Sequence, residues 1–268
     1  MKQALFALCF ASALLAQTAT KSTAPAPSAA KSTASPSPAV KSAIAPVAKA
    51  PAATVGDLLH PSTLTASAPA SYRVKLATTK GDIVIEVTRA WAPRGADRFY
   101  NLVRAGYFTD CVFYRVMPKF MAQFGVSARP DVNRAFKGAD ILDDPHSGHS
   151  NTRGKLTFAT TSAPNSRGTA LFINLVDNAY LDSGFVPIGE VIEGMENADM
   201  LYNGYGDTSS KQGSFENGGK AFVDGNYPKL DRILTATVVP AAPAAAPAGP
   251  SAAPKGTTAS KSTTGPKT

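Results

Sequence analysis

Cysteine is nearly absent from this chain: two in 268 residues, Cys9 and Cys111, which excludes a disulfide scaffold. Histidine is almost as scarce, with three, so chemistry that depends on several imidazoles has little to draw on. Charged residues make up 17%, against about 25% in an average globular protein. No apolar run reaches the roughly 18 residues of a membrane-spanning helix, which excludes a polytopic membrane protein. Collagen and coiled-coil periodicities are also missing. Basic residues do exceed acidic ones, for a net charge of +8, but residues 1–70 hold +4 of it and residues 240–268 hold +3. The middle, 71–239, is left with +1 and lacks the excess that a basic stripe for nucleic acid would need.

The ends of the chain carry little that could build a core. Residues 1–20 read as a secretory signal: Lys2 is the positive start, 4–15 is an apolar stretch of the right length, and Ala16 or Ala19 could precede cleavage. Residues 21–70 are Ala, Pro, Ser, Thr and spaced Lys, with Lys-Ser-Thr-Ala at 21–24 and again at 31–34. So few large apolar groups cannot offset the entropy of ordering, so the segment is expected to be a disordered linker, semi-rigid at its prolines. Residues 240–268 have the same composition and are expected to be a disordered tail. After signal cleavage Cys111 would be the only thiol, expected as a buried structural residue. Cleavage is expected to leave the protein in the periplasm or the medium with no membrane span; the other reading of residues 1–20 is an uncleaved N-terminal anchor.

Between 71 and 239 the pattern becomes that of short strands. Runs at 73–77 and 83–87 flank Thr79-Lys80-Gly81-Asp82, a hairpin signal. A helix is expected over 92–105, with Pro93 in its first turn and Gly106 as its stop. Further strands are expected at 111–116, 120–124, 156–159, 170–175, 187–191 and 234–239, and a second short helix at 195–201. The stretch from 125 to 153 reads as irregular, and the Gly-rich 204–228 as a surface excursion. Many short strands, two helices and no β-α-β alternation argue for a sandwich or a closed barrel, with the last strand pairing with the first.

Most polar candidates have structural explanations. His60 falls in the linker, and His146 and His149 lie three apart in a loop with no scaffold to fix a metal, so no metal is assigned. Asp143-Asp144 precede a proline and read as a turn. Gly204-Tyr205-Gly206 lacks the preceding strand of a dinucleotide fingerprint. One cluster stands apart, Phe113-Tyr114-Arg115-Val116-Met117-Pro118-Lys119-Phe120-Met121-Ala122-Gln123. Strand alternation puts Phe113, Arg115 and Met117 on one face, and Met121 and Gln123 on one face of the next strand. An Arg among apolar residues with Gln near it is a binding-site arrangement. Spacing alone fits equally well an Arg on the solvent face of an amphipathic strand.

This cluster resembles the signature of the cyclophilin family of peptidyl-prolyl isomerases in Phe113, Arg115, Phe120-Met121 and Gln123. Two further blocks are similar to the family in order. One is Gly154-Lys155-Leu156-Thr157-Phe158-Ala159 with Pro164-Asn165 and Leu171-Phe172-Ile173, and the other is Leu181-Asp182 with Gly189 to Met195. The resemblance spans 72 to about 239. It implies an all-β-dominated fold, a closed eight-stranded antiparallel β-barrel capped by two α-helices.

The resemblance also implies a chemistry. Rotation about a peptide bond is opposed by ~18–20 kcal/mol because nitrogen shares its lone pair with the carbonyl. Before proline, cis and trans differ by only about 0.5–1 kcal/mol, yet exchange takes tens of seconds or longer. A catalyst of this exchange breaks no bond; it binds the twisted amide better than either planar form. The family pattern assigns Arg115 and Gln123 as catalytic. It gives the proline pocket to Phe120, Met121 and Phe172, the rim to Leu181 and Phe185, and further substrate contact to Thr161, Ala170 and Tyr180. No cofactor is required. The chain departs from the family at four of these positions: Ala170 stands where many members have Gln, Thr161 where Asn is common, Tyr180 at the usual Trp and Phe185 at the usual His. The implied partners are unfolded or flexible proline-containing polypeptides, bound by a monomer, with no nucleic acid. The alternative is a proline-peptide binding module or holdase with weak catalysis, motivated by Ala170.

Overall fold

The computed structural model describes residues 58–239. The expected signal, most of the expected linker, and the expected tail from 240 lie outside the described residues. Nine strands and four helices follow one another: β1 (Ser71–Thr78), β2 (Gly81–Thr88), α1 (Pro93–Arg104), β3 (Cys111–Val112), β4 (Arg115–Val116), β5 (Met121–Phe124), α2 (Pro130–Phe136), β6 (Lys155–Phe158), β7 (Leu171–Asn174), β8 (Pro187–Glu193), α3 (Met195–Asp199), α4 (Gln212–Asn226) and β9 (Arg232–Val239).

The strands form one antiparallel sheet in the order β3-β9-β1-β2-β8-β6-β7-β5-β4. The expected hairpin is β1–β2, in register from Ser71↔Thr88 to Thr78↔Gly81. The last strand pairs with the first, Val74 opposite Val238 and Leu76 opposite Ala236. The two edge strands, β3 and β4, are separated in sequence by Phe113 and Tyr114 alone. Three Cα steps of 3.8 Å hold Val112 and Arg115 within about 11 Å, so the sheet curls strongly and brings its edges near each other. β3 and β4 do not pair, however: the expected closed eight-stranded barrel is a nine-stranded half-barrel. The run 111–116, expected as one strand, is therefore two: Cys111 and Val112 pair with Ile233 and Arg232 of β9, and Arg115 and Val116 pair with Gln123 and Ala122 of β5. The break also separates side chains expected on one face. Phe113 turns inward, fully buried with its ring 5.3 Å from that of Phe124, while Arg115 faces outward.

The interior of the curl is the main core. Its inward rows include Val74, Leu76, Ile83, Ile85 and Val87 from β1 and β2, and Val116, Ala122, Ile173 and Leu156 from β4 to β6, with Phe99 and Leu102 of α1 packed in. Pro93 occupies the first turn of α1, where a missing N–H costs nothing. The neighbouring orphan donors are met from far along the chain. Asp144 Oδ1 and Oδ2 accept from Arg94 N and Gly95 N at 3.0 and 2.9 Å. Asp144 also pairs with the buried Arg167 at 2.9 Å, so Asp143-Asp144 is a helix cap and ion-pair site, not a plain turn.

Helix content exceeds the expectation of two. α2 lies in the stretch read as irregular: Pro130 starts it, and Val132 and Phe136 put one buried edge inward. α4 lies in the expected surface excursion. Glycines weaken its helical propensity, but Phe215, Phe222, Val223 and Tyr227 share a face that packs on Val112, Tyr114 and Val126 as a second core. The helix kinks at Gly219, whose φ of 54° and ψ of −150° are open only to glycine. A Cβ there would lie 2.5 Å from Ala128 O and 2.6 Å from Pro130 Cδ. The folded part also begins earlier than the expected boundary at 71. Leu58 is buried, and Ala66 N and Ala68 N donate to Asn101 Oδ1 and Asp97 Oδ1 of α1. Among the described residues, no helix is long and apolar enough to cross a membrane.

Candidate active site

The outward face of β4, β5, β7 and β6 carries the site. Register sets Arg115 opposite Gln123, Gln123 opposite Phe172, and Phe172 opposite Thr157. One row of side chains thus crosses four strands on the face opposite the core. Met121 lies two residues before Gln123 on the same face, diagonal to Phe172 and within side-chain reach. Met121 and Phe172 are 2% and 5% exposed, although neither belongs to the main core. They form an apolar floor on the outer side of the sheet, with Phe185 against Phe172.

Arg115 stands at the edge of this floor. Its Nη1 lies 3.4 Å from Gln123 Oε1 and donates to it, and its guanidinium carbon is 5.8 Å from the centre of the Phe120 ring. Phe120 in turn stacks near Tyr180, at 6.2 Å between centroids. Phe185 meets the edge of Phe172 at 5.9 Å. Leu181 is half-buried in the 3-10 turn Ala179–Leu181 that carries Tyr180. The sequence-predicted residues Arg115, Gln123, Phe120, Met121, Phe172, Tyr180, Leu181 and Phe185 therefore come together. Thr161 and Ala170 lie further along, in a cleft of about 800 Å³ that starts at Gln123 and runs between the 159–170 region and helices α2 and α4.

Sequence reasoning missed what holds these parts in place. Asn151, Asn174 and Asn178 are buried and linked: Asn178 Nδ2 donates to Asn174 Oδ1 at 2.8 Å and to Phe120 O at 3.0 Å. Asn151 Nδ2 donates to Phe185 O and to Asp182 Oδ1, at 2.8 and 2.9 Å. Both rim segments are thereby tied to the floor by amides that satisfy one another, as buried polar groups must. No pattern in the sequence marks these Asn residues. Asp207, from the supposed excursion, was also missed. Its Oδ1 and Oδ2 accept from Arg115 Nε and Nη2 at 2.8 and 2.9 Å. Those hydrogen bonds from the guanidinium hold the Asp207 carboxyl down at about 2.

The remaining candidates serve packing. His149 stacks on Trp91 at 3.9 Å, and His146 Nε2 is 3.1 Å from Ser183 O. Cys111 is buried, and burial pushes its thiol up to about 12, which leaves it without thiolate character. What the site offers is a fixed cation, paired with the Asp207 carboxylate, beside an apolar floor. That suits a reaction in which no bond is broken.

Comparison with known proteins agrees. Residues 73–217 match the family described as cyclophilin type peptidyl-prolyl cis-trans isomerase/CLD. The chain is 34% identical over 160 residues to a peptidyl-prolyl cis-trans isomerase of Acinetobacter baylyi, covering 58% of this chain and 82% of that one. It is 33% identical over 136 residues to peptidyl-prolyl cis-trans isomerase B of Escherichia coli, covering 48% and 82%. In fold it is similar to a cyclophilin-type isomerase of Cryptosporidium parvum, with a TM-score of 0.50 at 20% identity, covering 64% of this chain and 99% of that one. With its curled antiparallel sheet matching that fold, this chain belongs to the cyclophilin-type peptidyl-prolyl cis-trans isomerases.

Proposed function

We propose that the protein catalyses X-Pro rotation by non-covalent stabilisation of the twisted amide, with Arg115 as the group that meets it. The proline ring rests on Met121 and Phe172 with Phe120 beside it, held at the rim by Leu181 and Phe185. The chain before the proline runs into the cleft past Ala170 and Thr161, and Tyr180 flanks the exit. As the acyl side swivels, the amide nitrogen loses conjugation and its lone pair becomes an acceptor. A fixed N–H donor aimed at that atom interacts more strongly with the twisted amide than with either planar form, and this lowers the barrier. Because a guanidinium stays charged across the physiological range, no proton transfer is involved. Gln123 keeps the donor in position.

One observation carries this reading: Arg115 faces out beside the apolar floor, with Nη1 3.4 Å from Gln123 Oε1. Exchange NMR on a short X-Pro peptide tests it. Cis–trans exchange should be fast with the full chain and slow with Arg115→Ala; equal rates would remove Arg115 from the mechanism.

The clients on this reading are flexible proline-containing segments of proteins outside the cytoplasm, in the periplasm or the medium, met by a monomer. The composition of residues 1–20 supports export. The amino terminus of the mature protein recovered from cell fractions tests this, and an intact Met1 in the cytoplasmic fraction would overturn it. The second reading, a proline-peptide binder or holdase with weak catalysis, draws on Ala170, a cleft-lining position without a hydrogen-bonding side chain.

A further inference from the structure

The 202–230 segment is bound to the strand that carries Arg115 at three successive points. Asp207 takes the guanidinium with both carboxylate oxygens. Thr208 Oγ1 donates to the backbone carbonyl of Tyr114, the residue before Arg115. The Tyr114 hydroxyl donates to Gln212 Oε1 at 3.2 Å, in the first turn of α4. Beneath these bonds, Tyr114, Phe215, Tyr227 and Tyr205 pack ring to ring at 4.9 to 5.8 Å. Asp207 is also held from its own side, because Ser209 N donates to Oδ1 at 2.9 Å. The carboxylate is therefore delivered to Arg115 by a packed element and not by a loose surface loop.

The donor count gives this contact a consequence. A guanidinium has five N–H groups in a fixed fork. Asp207 occupies Nε–H and one N–H of Nη2, and Gln123 occupies one of Nη1. One N–H on each terminal nitrogen is left over, that of Nη2 on the end-on edge of the fork. Bidentate pairing on the side edge stops rotation about the last side-chain bonds. It leaves the end edge presented in one orientation.

We propose that Asp207 is a positioning residue for isomerisation: it clamps the side edge of the Arg115 guanidinium so that the remaining donors are held in one orientation beside the apolar floor. This rests on Arg115 being the group that meets the amide. The donors are then oriented before substrate arrives, so the transition state does not have to order a long side chain. The carboxylate also lowers the net charge at the donor. Orientation and neutralisation act in opposite directions on the rate, and the proposal is that orientation dominates.

The test uses the full chain with Asp207→Asn, Asp207→Glu and Arg115→Ala, followed by exchange NMR and by the ¹⁵Nε–¹H signal of Arg115. Asp207→Asn keeps an acceptor for Ser209 N and removes the charge pair. Its kcat should fall about tenfold with little change in KM, and the Arg115 Nε–H signal should shift and broaden from motion. Asp207→Glu should recover part of both. In the Arg115→Ala background, Asp207→Asn should have no further effect on rate. If Arg115→Ala loses turnover while Asp207→Asn keeps or raises it, the positioning role is overturned and Arg115 stands. If Arg115→Ala retains turnover, the assignment of Arg115 itself is wrong. A fall in melting temperature for Asp207→Asn with an unchanged Nε–H signal would leave a structural role only and overturn the proposal.

Discussion

Arg115 and Gln123 face each other across the β4–β5 ladder, and their side chains leave the sheet on the side away from the core. The pairing is backbone-fixed, so the amide that orients the guanidinium cannot drift from it. Arg115→Ala should reduce isomerase activity by about 10²-fold or more, the usual cost of losing one preorganised donor. Arg115→Lys keeps the charge but not the fork, and should recover little of it. A protease-coupled assay on a prolyl peptide reads both.

Ala170 lines the cleft next to β7 and offers no side-chain donor. Ala170→Gln adds one toward the peptide backbone, worth about 0.5–1.5 kcal/mol, so kcat/KM should rise roughly two- to tenfold. A flat response would show that the missing contact does not limit turnover, and would weaken the binder reading that rests on it.

Asp144 is buried, caps α1 and pairs with Arg167, which is itself 5% exposed. Asp144→Ala leaves a buried guanidinium short of a counter-charge and two helix donors unmet. It should cost about 3–5 kcal/mol in urea unfolding, and Asp144→Asn less. Asp143 Oδ1, 3.5 Å from Arg167 Nε, is a second and more exposed counter-charge that would offset part of the loss.

The Asp207 carboxyl sits at about 2 in the folded protein because Arg115 donates to it. In an unfolded chain an Asp titrates at about 3.9. The folded state therefore binds fewer protons at this site between those values. The stability it contributes is full well above pH 4 and is lost as pH falls toward 2. Replacing Asp207 with Asn should remove that part of the acid slope, leaving the two chains closest in stability at the lowest pH. Denaturant melts between pH 2 and 6 check it, and a gap that widens on acidification would contradict the sign.

Local signals in the sequence were sufficient for much of this. The β1–β2 hairpin follows from a four-residue turn between two alternating runs, and α1 from Pro93 and Gly106 at its ends. Arg115, Gln123 and Phe172 are named by the family resemblance, and only the strand register shows them to be one row. By contrast, α2 was hidden because its seven residues hold a single buried apolar i, i+4 pair, Val132 and Phe136. The 111–116 break was hidden because the strand changes partner there, which depends on where the sheet closes.

The sequence by itself determined a domain of short strands with the β1–β2 hairpin and α1, features set by neighbours within a few residues through side-chain alternation and turn chemistry. Arg115 and Gln123 are singled out by resemblance to a family motif, since alternation fits a solvent-facing Arg equally well. Only the tertiary structure decided that glycine-rich 212–226 becomes a helix, that three distant Asn residues tie the rim to the floor, and that Asp207 reaches Arg115 across 92 positions. Those outcomes depend on burial and on groups brought together by closure of the sheet. The free energy that favours them comes from surfaces and charges that do not adjoin until the chain has folded.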